Sequence, residues 1–317
     1  MSVAGERPQQ QQPDNDSGGD GRLLRQRAAA VVARLAGTEL MTRQVVDGMP
    51  GGPHRSPRRG GGVEFAEHKE YSPGDDLRHL DWRAYARADR LAVKRYEQEV
   101  HVALTLVIDG SASMAVGGEG NDKLECARLV AGALALLTVR QGDAVGLLIA
   151  GAGGQQLPHA AGAAHAFELI ERLSVLKADG PAGFEGVGRQ LRVGMPRRGV
   201  VVAIGDGLAD PATLLAPLVG WQRAGLQVVF LHLLHPLEVD LSFDQPVELV
   251  DAETGTTEVV DPRFVRNAYV DMMRAHCEAI RRRTGQAGLA YAFATSGEDP
   301  AQIVRRVLGL LGSRRRG

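Results

Sequence analysis

Five nearly continuous apolar runs follow one another through the second two-thirds of this chain, each separated from the next by a helix-like or loop segment: "HVALTLVID", "DAVGLLIAG", "GVVVAIGD", "LQVVFLHLL" and "GLAYAFA". A strand that is apolar at every position has both faces covered, which is the condition of a parallel strand inside an α/β sheet. Between the runs lie helical patterns over Asp122–Arg140, His165–Lys177, Pro211–Ala224 and Asp261–Arg283. The last is marked by an Asp at its cap, Pro262 in the first turn and Gly285 beyond the end. The alternation predicts a doubly wound, mainly parallel α/β fold. "QPVELVDAETGTTEVVD" interrupts it and reads as a two-stranded hairpin or an edge excursion.

The rest of the chain divides around that domain. Residues 1–21 are polar and rich in Gln and Gly, without an apolar core that would make them a secretory signal, and read as a disordered tail. Residues 22–100 hold a helix, "GRLLRQRAAAVVARLAG", a Gly/Pro/Arg loop and a block of dense mixed charge that ends in a strand, "LAVKRYEQEV". From Gly51 to Val100 there are ten Lys/Arg and nine Asp/Glu. Such balance predicts internal ion pairing rather than a surface of one sign. Residues 101–317 form the α/β domain.

Bulk properties narrow the function. A formal net charge of −1 argues against a nucleic-acid binder. The longest apolar run, Leu129–Val139, is too short for a bilayer, which needs roughly 20 residues, so no membrane span and a cytoplasmic location are expected. The two cysteines, Cys126 and Cys277, fit a reducing compartment.

Ligands of doubly wound sheets gather at the carboxyl ends of the strands. Asp109, in "LTLVIDGSASM", and Asp206, in "IGDGLAD", both stand at such ends. Ser111 and Ser113 follow Asp109 at alternate positions, so their hydroxyls point the same way if the loop is extended. Two acids and two alcohols form an oxygen-only donor set, which selects Mg2+ or Mn2+ over zinc or copper. The competing reading is a turn in which Asp and Ser cap the next helix. Dinucleotide, nucleophile-elbow and S-x-x-K motifs are absent from this stretch. An alternative remains in a magnesium-dependent aspartyl-phosphate phosphotransferase of the haloacid dehalogenase type. That chemistry places a second Asp two residues after the first as general acid, where this chain has Ser111. His232 and His235 read as structural; His79 and Asp81 have no serine or cysteine placed to complete a triad.

Two stretches carry a family resemblance. "DGSAS" with a later strand-end Asp resembles the metal-ion-dependent adhesion site of von Willebrand factor type A domains. "VEFAEHKEYSPGDDLRHLDWRAYARADRLAVKRYEQE" resembles the bacterial family called domain of unknown function 58, which joins such a block to a type A-like fold. The resemblance spans Glu39 to Gly312. It implies no enzymatic activity. It implies a protein-interaction module, an adaptor in assembly or chaperoning whose partner is a MoxR-type AAA+ ATPase or that ATPase's client. It also implies that Asp109, Ser111, Ser113 and Asp206 would hold an Mg2+ or Mn2+ ion, with a partner's acid completing the shell. Where the family carries a threonine ligand, this chain has Phe184 and Glu185. The charged block, with Trp82, Tyr85 and Tyr96, is expected to be a structural layer.

Overall fold

The computed structural model describes residues 17–35, 63–70, 92–98, 102–117, 122–151, 155–180, 184, 198–243, 245–250 and 256–313. The chain forms two compact units, residues 48–101 and residues 1–47 with 102–317. In the smaller unit, β1 (Val63–Glu70) pairs antiparallel with β2 (Ala92–Gln98), with an irregularity between Phe65 and Glu67. The charged block between these strands, with His79, Asp81, Trp82 and Tyr85, lies outside the described residues.

The larger unit is built on a six-stranded sheet. Its strands are β3 (Ala103–Asp109), β4 (Ala144–Ala150), β5 (Gln156–Ala160), β6 (Val200–Gly205), β7 (Gln227–Leu234) and, after the β8–β9 hairpin (Val247–Val250, Thr257–Val260), β10 (Ala290–Thr295). The spatial order is β10-β7-β6-β3-β4-β5, all parallel except β5, which runs antiparallel to β4. Counted along the chain, this is the doubly wound order 3-2-1-4-5-6, and the order reverses between β3 and β6. The five expected apolar strands are all present. The expected interruption is the antiparallel β8–β9 pair.

Alternation along each strand sorts the side chains into two cores. Leu104, Leu106 and Ile108 of β3 face α2 (Lys123–Arg140), which packs beside α3 (Ala163–Ser174) and α7 (Pro300–Ser313). Val107, Val201, Ala203, Val228 and Phe230 face the opposite way, toward α4 (Pro211–Arg223) and α6 (Pro262–Gln286). A short helix, α5 (Pro236–Asp240), follows β7. Among the described residues, no helix is long and apolar enough to cross a membrane.

The first helix departs from expectation. α1 spans Ser17–Arg34, so it begins inside the stretch read as a disordered tail. It also belongs with the sheet rather than with the charged block, packing on α2, α3 and α7. The cause is its buried stripe of Leu24, Ala28, Val31 and Val32, spaced for one helical face and continued by Leu35 just past its end. A Cβ on Gly132 of α2 would come within 3.2 Å of Ala28 Cβ, so this glycine lets the helices approach closely.

Candidate functional site

Asp109 ends β3 beside the reversal point, and the chain turns there through Gly110. Gly110 N–H donates to Ala150 O at 2.8 Å, and Gly110 O accepts from Asp179 N–H at 2.7 Å. A side chain at this position would press within 2.9 Å of Ala150 O, so only glycine fits. Ser111 is extended, at φ −61° and ψ 159°, and a 3-10 turn follows over Ala112–Ala115. Asp109 Oδ1 accepts from Ser111 N–H at 3.0 Å, an Asx-type turn. Ser111 and Ser113 Oγ then stand 3.0 Å apart.

Asp206 follows β6, the neighbouring strand. Its Oδ1 accepts from Leu208 N–H at 3.2 Å, and Ser113 beside it helps hold the carboxyl below its usual range. The register sets Gly205 beside Asp109. A Cβ on Gly205 would meet Asp109 Cβ at 2.9 Å and Phe184 Cζ at 3.1 Å. Thus the four expected residues converge at one end of the sheet, where all four side chains are buried.

Two further residues were not foreseen. Lys123, the first residue of α2, turns inward and is fully buried. Its Nζ donates to Asp206 Oδ2 at 2.8 Å and to Glu238 Oε1 at 2.6 Å. Glu238, on α5, also caps its own helix, accepting from His235 N–H through Oε2 at 2.7 Å. Burial works to raise the Asp206 pKa. The Lys123 charge and hydrogen bond, aided by Ser113 and the Leu208 N–H, overcome it and hold the carboxyl below its usual range. Burial lifts the Glu238 carboxyl above its usual range even against Lys123.

Behind Asp206 the loop rests on α6 and β7. Gly207 has φ +64°, and its carbonyl accepts from His276 Nε2 at 2.7 Å. His232 is fully buried, with Nδ1 2.9 Å from Tyr291 Oη and its ring stacked on Phe230. Burial lowers its pKa to about 4, so it is neutral near pH 7. His235 Nδ1 accepts from Leu237 N–H at 3.2 Å. Both histidines therefore have structural hydrogen bonds.

The donor set meets a divalent ion only in part. Magnesium at roughly 2.1 Å places adjacent ligands about 3 Å apart, a spacing the two serines have. The second acid, however, already holds an ammonium. Unit charges of like sign ~5 Å apart repel by about 3 kcal/mol at an effective dielectric near 20, and a dication doubles that. Phe184, near which the resemblance calls for a threonine, is fully buried, edge-on to Phe230 at 6.1 Å. Glu185 lies outside the described residues. An apolar cavity of about 50 Å³, lined by Val102, Leu104, Val200 and Leu308, lies at the opposite, amino end of the strands.

Residues 67–279 match the family described as "Protein of unknown function DUF58". An uncharacterized protein of Mycobacterium tuberculosis, Rv1480, is 31% identical over 295 residues, 90% of each chain. Its Mycobacterium bovis counterpart, Mb1516, matches to the same extent. Among solved structures, an aerotolerance-related membrane protein from Bacteroides fragilis is 15% identical with a TM-score of 0.45, over 66% of this chain and 98% of that one. BatB from Bacteroides thetaiotaomicron is 14% identical with a TM-score of 0.44, over 67% and 100%. The VWA domain of SpRpn10 is 13% identical with a TM-score of 0.40, over 65% and 95%. With residues 67–279 matching the family and a relative 31% identical over 90% of each chain, the chain belongs to the DUF58 family.

Proposed function

We propose that this protein is a non-enzymatic interaction module, an adaptor that docks a MoxR-type AAA+ ATPase or that ATPase's client at the β3–β6 end of its sheet. The observation that carries this reading is how the polar groups there are spent. Ser111 and Ser113 bond to each other, Asp109 binds the turn that follows it, and Asp206 binds a lysine. These bonds brace two loops rather than pair a nucleophile with a base. Leu208, on the loop after Asp206, is partly exposed and offers an apolar contact at the rim. The partner class rests on the family resemblance, and a cytoplasmic location follows from that partner.

The phosphotransferase alternative has less support. Asp109 is closed off from solvent, Ser111 stands where the general acid belongs, and Lys123 is held by Asp206 and Glu238. The test is capture of the tagged full chain with the host's MoxR-type ATPase under ATP, ADP and nucleotide-free conditions. Specific recovery, weakened by Leu208→Asp, supports the adaptor reading. Recovery of neither the ATPase nor a stable client under any condition overturns it. Turnover of p-nitrophenyl phosphate that disappears in Asp109→Asn would replace it with the phosphotransferase.

A further inference from the structure

Among the largest fully buried side chains of the described residues is a lysine, beside Phe184 and Phe230. Lys123 opens α2, where the helix dipole is positive and a cation is least welcome. Burying an ammonium adds a desolvation cost that only close, well-directed acceptors offset. A lysine at the first turn of a helix would ordinarily extend into water. Here it points inward, because Asp206 and Glu238 converge on its Nζ from the ends of β6 and β7.

The lysine stands beside a second hydrogen-bonded group. Asp109 accepts from the Ser111 backbone and Ser111 meets Ser113, while Asp206 accepts from Lys123, which also donates to Glu238. Ser113 adjoins Asp206 and helps hold its carboxyl below the usual range. One group braces β3 against the 3-10 turn, and the other joins β6, α2 and α5. In an adhesion site of the ion-dependent kind, joining such loops is the task of the metal. In this protein the second acid is already paired with an ammonium, and the Phe184 ring borders the same end of β6.

We infer that Lys123 is the resident cation of this site: its ammonium takes the structural place of a divalent ion, and the carboxyl end of the sheet is assembled without metal. The site is then permanently charged by its own chain, and its organisation is indifferent to chelators. This holds whatever partner docks there.

The test uses the full chain with Mn2+ or Mg2+ alone, by titration calorimetry and thermal melting. For the wild type, the expected result is no binding heat up to roughly millimolar ion and the same melting temperature in chelator and in Mn2+. Lys123→Met keeps the length of the side chain and removes its charge. It should melt lower in chelator and recover part of the loss in Mn2+. The inference is overturned if the wild type takes up Mn2+ with heat that Asp206→Asn abolishes. It is also overturned if Lys123→Met melts like the wild type in chelator, or loses stability that Mn2+ does not restore. Should Lys123→Met fail to fold, Asp206→Asn decides. An equal loss of melting temperature in chelator and Mn2+ supports the built-in cation, and a larger loss in Mn2+ overturns it. No partner enters these measurements, so their outcome and that of the adaptor experiment are independent.

Discussion

Lys123 Nζ lies 2.8 Å from Asp206 Oδ2, with both side chains shut off from solvent. Removing one member of such a pair leaves the other charge buried and uncompensated, at a cost of roughly 3–5 kcal/mol. Lys123→Ala and Asp206→Asn should each lower unfolding free energy by about that amount in urea titrations. The double variant Lys123→Ala/Asp206→Asn should lose less than the sum of the singles, because Glu238 is partly solvated and can take up a proton. Additive losses would mean that the two side chains do not act as a pair.

Gly205 supplies the second prediction. An added methyl would sit 2.9 Å from Asp109 Cβ and 3.1 Å from the Phe184 ring, and neither neighbour has open space. Overpacking of this kind costs about 1–3 kcal/mol. Gly205→Ala should therefore destabilise, whereas Gly220→Ala, on α4 with nothing within 4 Å, should be neutral or stabilising. Chemical denaturation of the two variants side by side checks the contrast. A Gly205→Ala protein as stable as the wild type would show that Asp109 does not lie across the end of β6.

Phe184 carries the third. The family resemblance calls for a threonine near this position, and restoring the hydroxyl would be expected to tighten an ion. The ring is instead a fully buried part of the core under β6 and β7, packed on Phe230. Truncating a buried Phe typically costs about 3–5 kcal/mol. Phe184→Thr should thus lower the melting temperature in chelator and in Mn2+ alike, and Phe184→Leu should lose much less. A Phe184→Thr protein that is stable and gains ion-dependent melting would return the threonine role to this position.

The strands were readable because their signal is local. β3, β6 and β7 are covered on both faces, so nearly every residue is apolar whatever the register. β5, "QLPHA", was not foreseen; it is a five-residue antiparallel edge with only Leu157 buried and a proline inside it. α7 lies beyond the last expected strand; Ile303, Val304, Val307, Leu308 and Leu311 carry a clear helical period, and Asp299 Oδ1 accepts from Ala301 N–H at its start. At the site, the acids and serines stood out as polar groups at the ends of apolar strands. Lys123 did not, since a lysine in a first turn reads as solvated. Its burial is decided by Glu238, 115 residues away, which reaches it only because β7 returns beside β6 and α5 follows.

His232 makes stability depend on pH through a group far from the surface. Its ring lies between Phe230 and Phe293, with centroids at 5.7 and 5.5 Å, and burial lowers its pKa from 6.5 to about 4. In the unfolded chain the imidazole takes up a proton as pH falls through 6.5; in the folded chain it does not until about 4. The folded state therefore binds fewer protons across that window. Its contribution is fully present above pH 6.5 and is lost progressively on acidification toward pH 4, by up to about 3 kcal/mol. His159 and His235, whose pKa values burial also lowers, add slopes of the same sign. His232→Phe removes only the His232 part. It should be less stable than the wild type at pH 7.5, where the Tyr291 hydrogen bond is lost, and the gap should narrow steadily between pH 6.5 and 4. Urea unfolding at several pH values across that window checks it. Two parallel curves would show that His232 titrates alike in the folded and unfolded chains.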